Sequence, residues 1–252
     1  MRLVKTTHSQ IRAVIVLIIA VLSLFVWLFV GCGEQTAPVP EVAIVSSPET
    51  TPETTETVTI AGQTIPADQT SLSLSDAGID DITPLKKLKD LKTLVLEQNR
   101  INDLSPLTDL TDLMFLSLAD NRIRDIAPLA SLTNLEYLNL TENQLSDVAP
   151  LISLTHLIWL RLDQNQLGDL TPLTNLTTLV CLSLENNQIS DLKPLMSLAG
   201  LEYLALSGNQ IGDLAPLKSL GNLESLFLSD NPFTEEQLAD LRAALPDCEI
   251  KA

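Results

Sequence analysis

Aliphatic residues recur along most of the chain with a period of 22 residues. The clearest copy is Leu135–Leu154, which reads L-E-Y-L-N-L-T-E-N-Q-L-S-D-V-A-P-L-I-S-L. Within it, Leu138 and Leu140 flank a variable residue, which predicts a short strand with both leucines pointing into a core. Leu145 and Val148 are expected to fill the same interior from the turn and the return path. One copy cannot bury these groups alone but a stack can, so the pattern predicts a solenoid.

Three further positions recur with the same period: an Asn after each strand, an Asp four residues later and a Pro three after that. The Asn should turn inward and satisfy backbone groups, because an unpaired buried amide would cost about 1–3 kcal/mol. The Asp is expected to cap a tight turn on the convex side, with the Pro fixing φ after it. A calcium ladder of Asp residues is less favoured, because the Gly-rich spacing of calcium-binding β-helix repeats is absent.

The Asn column is Asn99, Asn121, Asn143, Asn165, Asn187, Asn209 and Asn231. The Asp column is Asp103, Asp125, Asp147, Asp169, Asp191 and Asp213. The Pro column is Pro106, Pro128, Pro150, Pro172, Pro194 and Pro216.

The repeat pattern, L-x-x-L-x-L-x-x-N-x-[IL], is that of a leucine-rich repeat. Over residues 70–252 the sequence resembles the 22-residue class found in bacterial internalins and in eukaryotic phosphatase-regulating leucine-rich repeat proteins. The resemblance implies an α/β repeat solenoid of horseshoe form. It places a parallel β-sheet on the concave face and short 3-10 or turn segments on the convex face. For function it implies host or cell-surface recognition, which rests on fold-level analogy.

Segments suited to capping the stack are predicted at both ends. Residues 58–70 are expected to form a hairpin that turns at Ala61-Gly62. A degenerate first repeat follows, with Ala77 in the position of the Asn. Near the other end, Thr234 and Gln237 have the spacing of a capping box at the start of a helix.

A last strand is expected at Cys248-Glu249-Ile250, 22 residues after the strand that begins at Leu226. This register places Cys248 in a core leucine position. With both caps, the leucine-rich repeat domain is predicted to cover residues 58–252.

The first 12 residues carry three basic and no acidic side chains, and the run Ala13–Val30 is apolar except for Ser23. This pattern is typical of an export signal. The run ends in F-V-G-C, Phe29 to Cys32, which resembles a bacterial lipobox and implies lipidation of Cys32 after cleavage. An uncleaved membrane anchor and a plain secretion signal remain as alternatives. All three place the remainder of the chain outside the cytoplasmic membrane.

Residues 32–57 are rich in Thr, Pro and Glu and contain no Lys or Arg. Such a composition cannot bury a core, and its charge favours extension. The sequence therefore predicts a signal peptide or membrane anchor over residues 1–31 and a disordered tether over residues 32–57.

The formal net charge of the chain is −17, of which residues 71–252 carry −14. This excess of acid argues against nucleic acid as a partner. A basic partner would be steered toward the domain, although solubility alone accounts for the charge as well.

Cysteine and histidine placement gives no sign of catalysis. Cys181 precedes a strand leucine, so it is expected to be a free thiol on the concave surface. Cys248 lies three strand steps away, about 14 Å at 4.8 Å per step, which is too far for a disulfide between them.

No second His lies near His156 for a metal or a triad, and no phosphate-binding loop is present. The sequence predicts a protein that is not an enzyme and needs no cofactor or metal.

Variation between repeats is concentrated at two exposed strand positions that should face the concave surface. Five of the six aromatic residues of the repeat domain fall in these positions. The position before each L-x-L holds Thr93, Phe115, Tyr137, Trp159, Cys181, Tyr203 and Ser225. The position inside each L-x-L holds Val95, Ser117, Asn139, Arg161, Ser183, Ala205 and Phe227.

Two interpretations of these aromatic residues are open. They stabilise cross-strand ladders in any sheet, and they are also enriched with Arg at interface hot spots. The second interpretation predicts a partner-binding surface with an apolar centre and a polar rim. Its candidate residues are Phe115, Tyr137, Trp159, Arg161, Asp163, Tyr203 and Phe227.

The sequence therefore predicts an envelope protein that binds a protein partner and is anchored to a membrane by an N-terminal lipid or segment. Carbohydrate or peptidoglycan binding is an alternative, because aromatic residues near Asn and Asp also suit sugars. A structural spacer without a specific partner is the other alternative.

Overall fold

The computed structural model describes residues 56–252. The predicted signal or anchor, the lipidation candidate Cys32 and the tether up to residue 55 lie outside the described residues. Within the described part of the chain, no helix is long and apolar enough to cross a membrane.

The repeats form one parallel sheet of nine strands, in which each strand pairs with the strand of the next repeat. Leu94, Leu116 and Leu138 occupy equivalent positions in consecutive strands. The predicted leucine-rich repeat solenoid with a parallel sheet is therefore confirmed. The strands are β3 Ser71–Ser73, β4 Thr93–Val95, β5 Phe115–Ser117, β6 Tyr137–Asn139, β7 Trp159–Arg161, β8 Cys181–Ser183, β9 Tyr203–Ala205, β10 Ser225–Phe227 and β11 Glu249–Lys251.

Short 3-10 helices return the chain along the convex side, each with a Pro in its first two positions. Before each helix, the recurring Asp accepts a hydrogen bond from the backbone N–H two residues on, at 2.7–2.9 Å. The predicted turn cap is confirmed. The helices are Thr83–Lys87, Ser105–Leu107, Ala127–Ser131, Ala149–Ser153, Thr171–Leu173, Lys193–Ser197 and Ala215–Ser219.

A continuous core fills the space between the sheet and the 3-10 helices. The strand leucines Leu138 and Leu140, the turn residue Leu145 and the return-path residue Leu151 are all fully buried. Each repeat contributes the same set of side chains, so the core extends without a break from one repeat to the next.

The Asn column forms a ladder of hydrogen bonds between successive repeats. In Asn143, Nδ2 donates to the carbonyls of Leu118, Leu140 and Thr141, and Oδ1 accepts from the N–H of Ile123. The same pattern recurs along the stack, and the Asn residues from Asn99 to Asn209 are buried. The predicted inward turn of the Asn is confirmed.

The residue before each Asn, and before Ala77 in the degenerate first repeat, adopts a left-handed backbone conformation, which the repeat pattern did not predict. These residues have φ between 51° and 71°. Only one of them is Gly, so most repeats hold a side chain in a conformation that is disfavoured by about 1–2 kcal/mol for L-residues. The column is Asp76, Gln98, Asp120, Glu142, Gln164, Asn186, Gly208 and Asp230.

Substitutions at Gln98 should have opposite effects on stability. Gln98→Gly is expected to raise the free energy of unfolding by about 0.5 kcal/mol, because relief of the left-handed strain exceeds the entropic cost of Gly. Gln98→Val should lower it by about 1 kcal/mol, because a β-branched residue is strongly disfavoured at positive φ. Urea unfolding of both variants checks the prediction, and equal shifts for Gly and Val would contradict it.

A two-stranded antiparallel hairpin covers the first repeat. Strands β1 Thr57–Ile60 and β2 Gln63–Pro66 pair around a turn at Ala61 and Gly62. Both turn residues have positive φ, which suits the right-handed twist of a tight hairpin. Val58, Ile60 and Ile65 from the hairpin are buried in the common core.

At the other end, α1 Glu235–Ala244 replaces the 3-10 return, and Thr234 forms a capping box with Gln237. Leu238 and Leu241 of this helix are buried. The register of the strand that follows, β11, is two residues later than expected, since Ile250 rather than Cys248 pairs with Leu226. The prediction of Cys248 in a core leucine position is therefore wrong, because the longer helical return adds two residues before the strand.

Candidate functional site

The two variable strand positions lie on one face of the sheet, as predicted, because they alternate with the buried leucines. Strand β6 shows the alternation: Leu138 is fully buried, while Tyr137 on the other face is half-buried. Register pairs Phe115 with Tyr137, and Tyr137 with Trp159. The sheet thus brings the three candidate aromatic residues into adjacent strands.

The aromatic side chains fall into two groups rather than one continuous stripe. Phe115 and Tyr137 are stacked, with ring centroids 4.0 Å apart and an interplanar angle of 6°. Tyr203 and Phe227 form a second pair with centroids 5.2 Å apart and a tilt of 41°. Cys181 of β8 separates the first group from the second.

The position inside each L-x-L is less exposed than the sequence suggests. Ser117, Asn139, Ser183 and other small residues in this column are buried, and Ala205 is 0% exposed. Only Arg161 and Phe227 in β4–β10 are partly exposed at this position. In this column, only the two large side chains of Arg161 and Phe227 are therefore accessible at the surface of the sheet.

Arg161 is held by Asp163, a candidate residue that proves to be buried, with 4% of its surface exposed. Asp163 Oδ2 accepts from Arg161 Nε at 3.3 Å and also from the Thr141 hydroxyl. Its Oδ1 accepts from the Ser183 hydroxyl and from the N–H of Glu185. Asp163 is therefore largely inaccessible from the surface, and it holds the Arg161 guanidinium in place.

The Tyr137 hydroxyl has an unusual environment at the centre of this face. Burial raises the pKa of Tyr137 to about 12, and the nearby charges of Glu97 and Asp163 act in the same direction. Arg161 and a hydrogen bond with Asn139 oppose this rise in the pKa. The neutral phenol, a donor as well as an acceptor, is the form present at neutral pH.

The raised pKa of Tyr137 predicts a loss of stability in alkali. Between about pH 10 and pH 12 an unfolded tyrosine releases its proton while Tyr137 retains it, so the folded state becomes less favoured as the pH rises. The chain contains two tyrosines, so phenolate absorbance in a Tyr203→Phe variant isolates Tyr137. A midpoint near 12 is expected, and a midpoint near 10 would contradict the prediction.

Cys181 does not have the surroundings predicted for it. It is 1% exposed and is not a free thiol. The expectation of a free surface thiol at this position is therefore wrong. Cys248 is a free cysteine, and burial raises the pKa of its thiol, so no bond joins the two cysteines of the repeat domain.

The sequence interpretation missed Lys251 on the concave face because its register for the last strand was wrong, and it did not include Glu249 among the candidate residues. Lys251 lies beside Phe227 in the sheet, and Glu249 lies beside Ser225. The Lys251 ammonium is 4.8 Å from the centroid of the Phe227 ring and 3.5 Å from Glu249 Oε1. Alternation with Ile250 could have revealed Lys251, had the extra length of the helical return been recognised.

One histidine, His156, lies within residues 56–252. The exposed His156 has Nδ1 2.8 Å from the Thr133 carbonyl. Over residues 56–252, no group of three or more His, Cys, Asp or Glu side chains is placed to hold a metal ion.

The fold and the family match define a leucine-rich repeat protein. The family model for leucine-rich repeats in two copies matches residues 112–153 and 199–243. Proteins of this class are generally protein–protein interaction modules, and their curved stacks present extended concave binding surfaces. A comparison with curated proteins finds no match.

Solved structures narrow the class further. An internalin C2 from Listeria monocytogenes is 35% identical with a TM-score of 0.69, and the match covers 77% of this chain and 87% of that one. An internalin, inlF, from the same species is 36% identical with a TM-score of 0.71, covering 73% of this chain and 54% of that one. The chain belongs to the internalin-like leucine-rich repeat proteins. It spans about half the length of the inlF chain.

The chain is also similar, at lower sequence identity, to the ectodomain of a receptor. The leucine-rich repeat ectodomain of a plant membrane receptor kinase from Arabidopsis thaliana is 25% identical with a TM-score of 0.58. The match covers 68% of this chain and 22% of that one. That ectodomain was solved in complex with CASPARIAN STRIP INTEGRITY FACTOR 2.

Proposed function

We propose that this protein is a non-enzymatic module of the bacterial cell envelope that binds a protein partner on the concave face of its sheet. The observation that carries the proposal is the group Phe115, Tyr137 and Trp159 in three adjacent strands. Partly exposed aromatic side chains clustered in this way typically form interface anchors. The solved receptor complex, in which a related repeat domain is bound to a partner, supports the same class of function.

Arg161 supplies the polar component of the proposed surface. It follows Trp159 by two residues on the same face, and Asp163 restrains its guanidinium. A restrained side chain loses less entropy when a partner binds, so its hydrogen bonds contribute more to affinity. Fixed Arg beside aromatic residues is a common composition of interface hot spots.

Display on the envelope is the second part of the proposal and rests on the N-terminal sequence. The basic start, the apolar run and Cys32 favour export followed by lipidation at Cys32. Labelling of cells with a radioactive fatty acid tests this directly, and Cys32→Ser should abolish the label. A label retained by Cys32→Ser would reject lipidation at this residue.

Crosslinking in the native envelope, followed by mass spectrometry, tests partner binding. Wild type is compared with a Phe115→Ala/Tyr137→Ala/Trp159→Ala variant whose folding is first established by circular dichroism. A matched control is Ile152→Ala/Met196→Ala, which removes apolar side chains that are 53% and 49% exposed away from the variable strand positions. A protein captured by wild type and the control but lost from the aromatic variant is the expected result.

Other outcomes would decide between the remaining classes. A protein captured equally by all three forms would move the interface away from the aromatic group and make that group structural. Capture of no protein, together with wild-type binding on a glycan array that the aromatic variant loses, would establish carbohydrate binding. No binding of either kind would indicate a structural spacer.

A further inference from the structure

The C-terminal end of the concave face already holds a cation from the protein itself. The Lys251 ammonium lies over the Phe227 ring at 4.8 Å, and Glu249 Oε1 is 3.5 Å from the same nitrogen. Tyr203 adds a second ring against Phe227. A ring face attracts a cation through its quadrupole, so these side chains form a platform whose chemistry suits an ammonium or guanidinium group.

Two further carboxylates lie next in sequence to the strands that carry these rings. Glu202 and Glu224 are exposed and directly precede β9 and β10, and Glu249 is exposed within β11. Residues 141–252, which include this platform, also carry a net negative charge, because they contain fifteen acidic and five basic residues. A basic ligand would therefore be attracted to this end from a distance as well as in contact.

The internal cation is weakly held. Lys251 and Glu249 have side chains that are 55% and 67% exposed, and ion pairs of this kind contribute little to stability. Neither residue belongs to the hydrophobic core, which receives Ile250 from the same strand. A partner's basic side chain can therefore take the place of Lys251 without disrupting the core.

We propose that Tyr203, Phe227 and Glu249 form a cation subsite that binds a Lys or Arg side chain of the protein partner, and that the negative charges of Glu202 and Glu224, next to β9 and β10, strengthen its attraction for that cation. The subsite rests on the proposed function and specifies the partner's chemistry: a basic residue near the apolar segment that contacts Phe115, Tyr137 and Trp159. Lys251 occupies the subsite in the absence of the partner and competes with it.

A fluorescein-labelled hexalysine peptide is a suitable probe, and its binding to the full-length chain is measured by fluorescence anisotropy. Phe227→Leu keeps apolar bulk but removes the ring face, and it should weaken binding about threefold. The control Ile152→Ala should leave binding unchanged. Equal affinities of Phe227→Leu and wild type would overturn the subsite.

Two matched pairs of variants distinguish binding at the subsite from attraction by the overall negative charge of the domain. Glu202→Gln/Glu224→Gln should weaken binding about tenfold, whereas Glu235→Gln/Glu236→Gln makes the same charge change on α1 and should weaken it about twofold. Lys251→Met should tighten binding about threefold, and Lys218→Met, which also removes one positive charge, should have a smaller effect. Equal effects within each pair would overturn the proposal.

The subsite and the proposed function can fail separately. If the aromatic variant loses its partner in the envelope while Glu202→Gln/Glu224→Gln retains it at wild-type level, the subsite is rejected and the proposed function stands. If the aromatic variant retains its partner, the proposed function is rejected whatever hexalysine does.

Discussion

Asn143→Ala is expected to lower the free energy of unfolding by about 3 kcal/mol. The substitution removes three hydrogen bonds donated by Nδ2 and one accepted by Oδ1. The carbonyls of Leu118 and Leu140 and the N–H of Ile123 would remain inside the stack without these partners. Leaving buried polar groups unsatisfied costs more than the hydrogen bonds themselves contribute, which is why a large effect is expected from one amide.

Asn134→Ala is the matched control for this prediction. Asn134 is exposed, and its Nδ2 donates a single hydrogen bond to the Thr111 carbonyl at 2.9 Å. Its substitution should change the free energy of unfolding by less than about 0.5 kcal/mol, since water can replace the amide. Urea unfolding of both variants gives the comparison. Similar losses of stability in the two variants would show that the ladder is not a special source of stability.

The repeat pattern predicts the sheet and the Asn ladder well because both are repeated in every unit. A leucine that is inward in one repeat must be inward in the next, or the stack would not close around a common core. The left-handed residue before each Asn escaped prediction because its position holds Asp, Gln, Glu, Asn and Gly in different repeats. Because the residue type differs between repeats, the sequence does not show that the backbone conformation at this position is the same in all of them.

The sequence predicted the candidate site correctly only where the alternation of residues along a strand is enough to determine which face a side chain occupies. Phe115, Tyr137 and Trp159 precede inward leucines, so their face follows from the strand period. The burial of Asp163 depends on Thr141, Ser183 and Glu185 in neighbouring repeats, which no pattern within one repeat reveals. Lys251 was missed because the length of α1 shifts the register of β11 by two residues.

Asp163→Ala is expected to have an effect on stability close to that of Asn143→Ala, about 3 kcal/mol. Both oxygens of the buried carboxylate accept hydrogen bonds, and its loss leaves the Glu185 N–H, the Ser183 hydroxyl and the Arg161 guanidinium without this acceptor. Removing one partner of a largely buried pair also leaves the other charge uncompensated. Chemical denaturation gives the change in stability, and a loss below about 1 kcal/mol would contradict the prediction.

A conservative substitution separates the stabilising role of Asp163 from its positioning role. Asp163→Asn retains an oxygen that can accept from the Glu185 N–H but loses the charge that restrains Arg161. We therefore expect Asp163→Asn to recover most of the stability lost in Asp163→Ala while still weakening capture of the partner. In an Arg161→Met background, Asp163→Asn should have no further effect on capture, because the two residues act through one guanidinium. An additional loss of capture in the double variant would mean that Asp163 contributes to binding independently of Arg161.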